Sequence, residues 1–284
     1  MTASALPAPL VSPEQLLAAL AAGASPLIID CSFDLADVTA GERAFAAGHL
    51  PGAVYANLDT DLAGPKTGRN GRHPLPARDD WAATLARLGV TPERAVVVYD
   101  AQGGMYAARA WWMLLWAGHR AASVLDGGVA AWQAAGGTLE AGAAAPVAAP
   151  AAYPLGASLV PAIDADALQK SLGRVTLLDA RAGERYRGEV EPLDKRAGHI
   201  PSARSRFFKD NLDARGRFKP AAELRAAFAA FGAAPAQVVH QCGSGVTACH
   251  NLLAMEVAGL SGSALYPGSW SEWSSDPARP VAVG

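Results

Sequence analysis

Gln237-Val238-Val239-His240-Gln241-Cys242-Gly243-Ser244-Gly245-Val246-Thr247 runs from an apolar strand into a short loop with two glycines. The residues that follow, from about Ala248 to Ala258, have the pattern of a helix. Glycines on both sides of Ser244 let the backbone curl through angles that a side chain would resist. A curled loop at a helix start aims several backbone N–H groups at one point, which makes a nest for an anion. Cys242 sits in that nest at the carboxyl end of a strand, where open α/β sheets place their sites. The residue types fit a reactive thiolate, with Ser244 and Thr247 as added hydroxyl donors. The same cradle would hold a terminal sulfur on Cys242, a persulfide anion. A buried, inert cysteine is the competing reading. The flanking glycines and the strand-to-helix position argue against it.

Working outward, the chain repeats itself. The first half has a helix opened by Ser12-Pro13-Glu14, the strand Leu27-Ile28-Ile29-Asp30, then His49-Leu50-Pro51. The strand Ala95-Val96-Val97-Val98-Tyr99-Asp100 and Trp132 complete it. The second half has a helix over about Asp164 to Leu172, the strand Val175-Thr176-Leu177-Leu178-Asp179 and His199-Ile200-Pro201. The Cys242 strand and Trp273 close that half. Asp30 matches Asp179, His49 matches His199, Asp100 matches Cys242 and Trp132 matches Trp273, at offsets between 141 and 150 residues. Four ordered landmarks at near-constant offset mark a duplicated unit. Each half alternates apolar strands with helical patterns, so each is expected to be α/β, a mostly parallel sheet flanked by helices. The expected division is 1–140 and 161–284, joined by an Ala-, Gly- and Pro-rich linker over 141–160.

Bulk properties bound the partners. The chain has 284 residues, 51% of them apolar and 18% charged, with a net charge of −2. That balance offers nothing to nucleic acid or to an anionic membrane surface. The longest apolar run, around Ala107 to Ala117, is interrupted by Arg109 and is too short to span a bilayer. Three cysteines and no basic, apolar leader point to a reducing cytoplasm. Cys31 and Cys249 read as core residues, with a redox role for Cys249 as the minor alternative. No cysteine or histidine spacing supports a metal site, and no nucleotide or flavin loop is present. A phosphatase loop, Cys-x5-Arg, would need arginine where this chain has Ala248. His49 and His199 precede proline turns and read as structural, and Trp111, Trp112 and Trp116 read as core.

The stretches Asp179-Ala180-Arg181, Gly198-His199-Ile200-Pro201, Cys242 to Thr247 and Trp270-Ser271-Glu272-Trp273 resemble the rhodanese superfamily in its tandem form. The resemblance covers about Ser12 to Pro280. It implies two rhodanese-like domains, the first inactive because Asp100 stands in place of cysteine, and a second that transfers sulfur through Cys242. It implies no cofactor and no metal. Thiosulfate-using members usually read Cys-Arg-Lys-Gly-Val-Thr in this loop. Mercaptopyruvate-using members read Cys-Gly-Ser-Gly-Val-Thr, as this chain does. An uncharged loop suits a keto acid whose thiol must lose a proton, and a cationic one suits a dianion.

By the same resemblance Ser244 works with His73 and Asp59 in moving that proton, with Asp61 as a rival to Asp59. Gly243, Gly245, Val246 and Thr247 shape the donor site. Arg185, in Arg185-Tyr186-Arg187-Gly188, is expected to hold the donor carboxylate. A second arginine usually follows a Glu-Pro pair. Here Glu191-Pro192 is followed by Leu193, and Arg196 or Lys195 is the expected substitute. The expected reaction takes sulfur from 3-mercaptopyruvate to a thiol, cyanide or a thioredoxin-like acceptor. Thiosulfate as donor is the runner-up, and a non-catalytic sulfur carrier is the alternative of a different class.

Overall fold

The computed structural model describes residues 6–144 and 152–284. The part of the expected linker at 145–151 lies outside them. The chain forms two compact units that do not follow simple chain order. The first comprises Met1–Ala63, Pro76–Leu159 and Ala214–Arg217, and the second Gly64–Leu75, Val160–Asp213 and Phe218–Gly284. The end of the expected linker packs on the first unit: Tyr153 is buried, and the Gly156 amide donates to the Ala117 carbonyl at 2.9 Å.

In the first unit the strands are β1 (Leu10–Val11), β2 (Leu27–Asp30), β3 (Val54–Tyr55), β4 (Val96–Tyr99) and β5 (Ala122–Leu125). They form one sheet in the order β1-β5-β4-β2-β3, with every pairing parallel. The intervening helices are α1 (Pro13–Ala21), α2 (Ala40–Ala47), α3 (Arg78–Leu88), α4 (Ala107–Trp116) and α5 (Gly128–Ala134). Ser12 starts α1 through a capping box: its hydroxyl accepts the Gln15 amide at 3.2 Å, and the Gln15 side chain accepts the Ser12 amide at 2.9 Å.

The second unit repeats the plan. Its strands β6 (Thr176–Asp179), β7 (Arg204–Ser205), β8 (Val238–Gln241) and β9 (Ala264–Leu265) lie in the order β7-β6-β8-β9, again all parallel. An isolated parallel bridge from Ala162 to Leu265 stands where the first unit has β1. The helices are α6 (Ala165–Ser171), α7 (Gly183–Arg187), α8 (Ala221–Ala229), α9 (Thr247–Val257) and α10 (Ser269–Trp273). Both cores use corresponding positions: Leu16, Ile28 and Val97 in one, Leu168, Leu177 and Val239 in the other. His49 and His199 do the same job in each unit. Their rings stack on Phe45 and Tyr186, and each Nδ1 bonds the backbone carbonyl of that residue. Trp111 and Trp112 are buried in the core as expected, while Trp116 stacks on Trp112. No helix among the described residues is long and apolar enough to cross a membrane.

Candidate active site

β8 lies between β6 and β9, so the chain leaves the middle of the sheet at Cys242. The loop then turns directly into α9. Cys242 is 2% exposed, and its Sγ accepts the Gly245 amide at 3.1 Å. Gly245 has φ +76°, and a Cβ there would lie 2.2 Å from the Pro267 carbonyl oxygen. That contact is to backbone and cannot be relieved by a rotamer change. Gly245→Ala is therefore expected to cost about 3 kcal/mol of stability and to lower kcat at least about tenfold, as read by urea unfolding and steady-state assay.

Ser269 completes the cradle. Its hydroxyl accepts the Cys242 amide at 3.1 Å and donates to the Tyr266 carbonyl at 2.9 Å. It does so at φ +54°, where the first unit has Gly128 at φ +56°. A non-glycine residue in that region is strained. The two hydroxyl bonds offset that strain. The amides of Trp270 and Ser271 bind the carbonyls of Cys242 and Gly243. Sequence reading missed Ser269. Its place after Pro267-Gly268, matching the Asp126-Gly127-Gly128 turn, was the available signal.

The corresponding loop of the first unit shows what such a nest holds. Asp100, fully buried, accepts four backbone amides: Gln102 at 2.8 Å and Gly104 at 2.9 Å on Oδ1, Tyr106 at 2.7 Å and Ala107 at 2.9 Å on Oδ2. A carboxylate fills the site where the second unit keeps a thiol.

Ser244 is buried in the loop, and its Oγ lies 2.7 Å from Nδ1 of His73. His73 belongs to the Gly64–Leu75 segment, which the fold gives to the second unit. Asp59 and Asp61 lie in the first unit. There the Asp59 amide donates to the Asn57 side chain at 2.8 Å, and Asp61 accepts the Asn57 amide and pairs with Arg87. Val246 stands just ahead of α9 and Thr247 begins it. Cys249, buried in α9, donates its thiol to the Gly245 carbonyl at 3.3 Å, which supports the loop from behind.

Arg185 comes to the loop as expected. A Cβ on Gly243 would lie 3.5 Å from its Nη1 and 3.8 Å from its Nη2. A second guanidinium is nearer still: Arg72 Nη2 would be 2.8 Å from that Cβ. The loop is uncharged in sequence, but two cations from other segments stand over it. Arg185 was expected there, and Arg72 is an addition to it. Arg72 was missed, although it directly precedes His73.

Arg196, the expected second arginine, has another occupation. Its guanidinium donates to the carbonyls of Trp273, Ser274, Asp276 and Arg279 at 2.6–3.1 Å. It ties down the turn after α10, so the structure does not support a donor-binding role for it.

Carboxylates balance the cations. Asp194 pairs with Arg72, and also with Arg185 at 3.4 Å. Glu191 pairs with Arg185 at 2.7 Å and with Arg181 at 3.4 Å. Burial pushes the Asp194 carboxyl up, and Arg72 and Arg185 pull it back only in part. Arg181 bonds Asp179 and the Gly198 carbonyl and lies over the Trp270 ring at 4.8 Å. Burial works against its charge, but Asp179 above all, and then Glu191, hold it above the usual arginine range.

His240, two residues before Cys242, is fully buried, with Nε2 3.0 Å from the Met255 sulfur. Burial, and then the Arg206 charge, push it down to about 3 from an ordinary 6.5. The neutral ring is the folded form. The unfolded chain takes up a proton below pH 6.5 and the folded one does not until about 3. Stability conferred by this site is therefore full above 6.5 and falls as pH drops through that window. At about pH 4.5 the loss is roughly 3 kcal/mol. His240→Leu is expected to flatten that part of the stability–pH curve, measured by urea unfolding at several pH values.

Known proteins share this fold. The family model of the rhodanese-like domain matches residues 12–135 and 164–276. The chain is 47% identical over 276 residues to a probable 3-mercaptopyruvate sulfurtransferase of Pseudomonas aeruginosa, covering 95% of this chain and 96% of that one. It is 40% identical over 284 residues to a putative thiosulfate sulfurtransferase, SseB, of Mycobacterium tuberculosis, covering 97% of each. SseA from Escherichia coli, a 3-mercaptopyruvate sulfotransferase of rhodanese fold, superposes with a TM-score of 0.79 at 29% identity, over 93% of this chain and 99% of that one. With two matched domains, and relatives of this identity along nearly its whole length, the chain is a sulfurtransferase and belongs to the rhodanese family.

Proposed function

We propose that this chain takes sulfur from 3-mercaptopyruvate onto Cys242 and passes it to a thiol, cyanide or a thioredoxin-like acceptor. One observation carries the choice of donor: Ser244 Oγ meets His73 Nδ1 at 2.7 Å, two residues from Cys242. A mercaptopyruvate thiol has a proton to lose, and thiosulfate has none. A hydroxyl–imidazole pair beside the nucleophile is a path for that proton. The name of the Pseudomonas relative supports the same donor.

In the first half-reaction the Cys242 thiolate attacks the donor sulfur. An S–S bond forms as the donor's C–S bond breaks. The electron pair leaves on carbon as the enolate of pyruvate, and the proton given up by the donor thiol ends there. The nest that holds the thiol then holds the outer, anionic sulfur. In the second half-reaction an acceptor thiolate or cyanide attacks that outer sulfur and Cys242 leaves as thiolate. This is ping-pong covalent catalysis. With Asp100 in place of a thiol, each chain has one such centre.

Thiosulfate is the second reading, favoured by the two guanidinium groups beside Gly243. Comparing the donors decides between them. We expect kcat/KM for mercaptopyruvate to exceed that for thiosulfate at least about tenfold. A preference for thiosulfate by that margin would overturn the choice. Intact mass after mercaptopyruvate without acceptor should show a gain of about 32 Da, one sulfur atom. Absence of that gain with either donor would leave a carrier or binding role.

A further inference from the structure

We propose that Arg72 is the second guanidinium of the donor-anion clamp, delivered by the Gly64–Leu75 segment. The inference rests on the reading of the chain as a transferase with an anionic donor, and it names the group that recognises the anionic end.

Four observations converge. Arg72 Nη2 would come within 2.8 Å of a Cβ at residue 243, closer than either Nη atom of Arg185. Among the described residues, Nε of Arg72 and Nε of Arg185 are both buried without a hydrogen-bond partner. An unsatisfied buried donor carries a desolvation cost that an arriving carboxylate oxygen would remove. The Arg72 backbone is fixed as well, its amide donating to Ser271 Oγ at 3.0 Å. Lastly, Leu193, which stands where an arginine was expected, lines the same 250 Å³ cleft as Arg72 and Asp194. An apolar side chain at 193 leaves the charge to come from elsewhere; Arg196 is committed to backbone carbonyls, and Lys195, which lines the same cleft, is exposed.

Asp194 holds Arg72 in the protein as it stands, and shares Arg185 with Glu191. This keeps both guanidinium planes beside the loop before any donor arrives. A donor carboxylate then finds a preorganised pair of forks, the geometry that favours bidentate binding.

The test uses the full-length protein with pyruvate, mercaptopyruvate and thiosulfate as probes. Arg72→Met is expected to weaken pyruvate binding, measured by calorimetry, and to raise KM for both donors, each about tenfold to a hundredfold. kcat should change less than KM. Arg72→Lys should recover part of the loss. Gly243→Ala puts a Cβ 2.8 Å from the end of the Arg72 side chain; it should shift that head group, raise KM by less than Arg72→Met does, and add little in the Arg72→Met background. Asp194→Asn separates anion recognition from a merely structural ion pair: the amide oxygen can still accept from Arg72 and hold its plane, and with one negative charge fewer beside the clamp KM should stay level or fall. If Asp194→Asn reproduces the Arg72→Met defect, or Arg72→Met keeps wild-type KM and pyruvate affinity, the inference is overturned. Wild-type protein that turns over neither donor yet binds pyruvate through Arg72 would sink the functional reading and leave this one standing. Wild-type protein that neither turns over nor binds would remove both.

Discussion

Cys242→Ser is expected to abolish sulfur transfer, a fall in kcat of at least about 10⁴-fold. The hydroxyl is close in size to the thiol and can still accept the Gly245 amide that now meets Sγ at 3.1 Å. The loop should therefore fold as before, and the loss belongs to chemistry. A serine hydroxyl is scarcely ionised near neutral pH, and an oxygen cannot form the S–S bond that the proposed mechanism needs between half-reactions. The measurements are pyruvate release and the mass of the protein after mercaptopyruvate. The other two cysteines provide an internal control. Cys31 is buried, and burial above all, then Asp30, Asp100 and Asp61, pushes its thiol well above the usual range. Cys249 is buried with its thiol on the Gly245 carbonyl. Neither should take up sulfur. Turnover within about tenfold of wild type, or a retained sulfur adduct on the variant, would place the chemistry elsewhere.

The second large effect concerns stability. Asp100→Ala should destabilise the first unit by about 3–5 kcal/mol. Four backbone amides converge on this one carboxylate, and alanine would leave them without their acceptor in a fully buried loop. Asn is not a safe substitute. Its NH₂ group would face amide donors on one side of the nest, so Asp100→Asn should recover only part of the loss. Urea unfolding of both variants reads this directly. If Asp100→Ala unfolds at the wild-type midpoint, the nest does not depend on its anion. The proposal that the matching loop around Cys242 holds a persulfide would weaken with it.

Much of the site was legible because the chemistry is local. A strand, a loop with two glycines and a helix in immediate succession place the nucleophile and its amide donor within a few residues of one another. Short-range geometry dictates that arrangement with little help from the rest of the chain. The duplication was legible for a related reason: apolar spacing repeats wherever a parallel sheet repeats, so Leu16 and Leu168, or Val97 and Val239, fill matching places in two cores. The expected serine–histidine pair formed, at 2.7 Å between residues 171 apart in sequence. That pairing came from resemblance to a family, since no local pattern links the two positions.

What escaped the sequence was where charge ends up. The loop itself has no charged residue, and Arg185 was expected beside it, but Arg72 also stands beside Gly243. Arg196 looked available until the carbonyls of the turn after α10 claimed it. A long side chain at a chosen residue number can reach any of several partners. Which one it meets depends on how distant segments cross, and that depends on packing.

Taken alone, the sequence determined that there are two α/β units, that the second carries a thiol in a glycine-flanked loop between a strand and a helix, and that the first has Asp100 in the matching place. All of these follow from local backbone geometry and hydrophobic period. Only the tertiary structure decided that residues 64–75 join the second unit, that His73 reaches Ser244, and that Arg72 supplies a cation beside Gly243. The reason is that electrostatic contacts act through space, between side chains whose proximity is set by the packing of segments far apart in the chain.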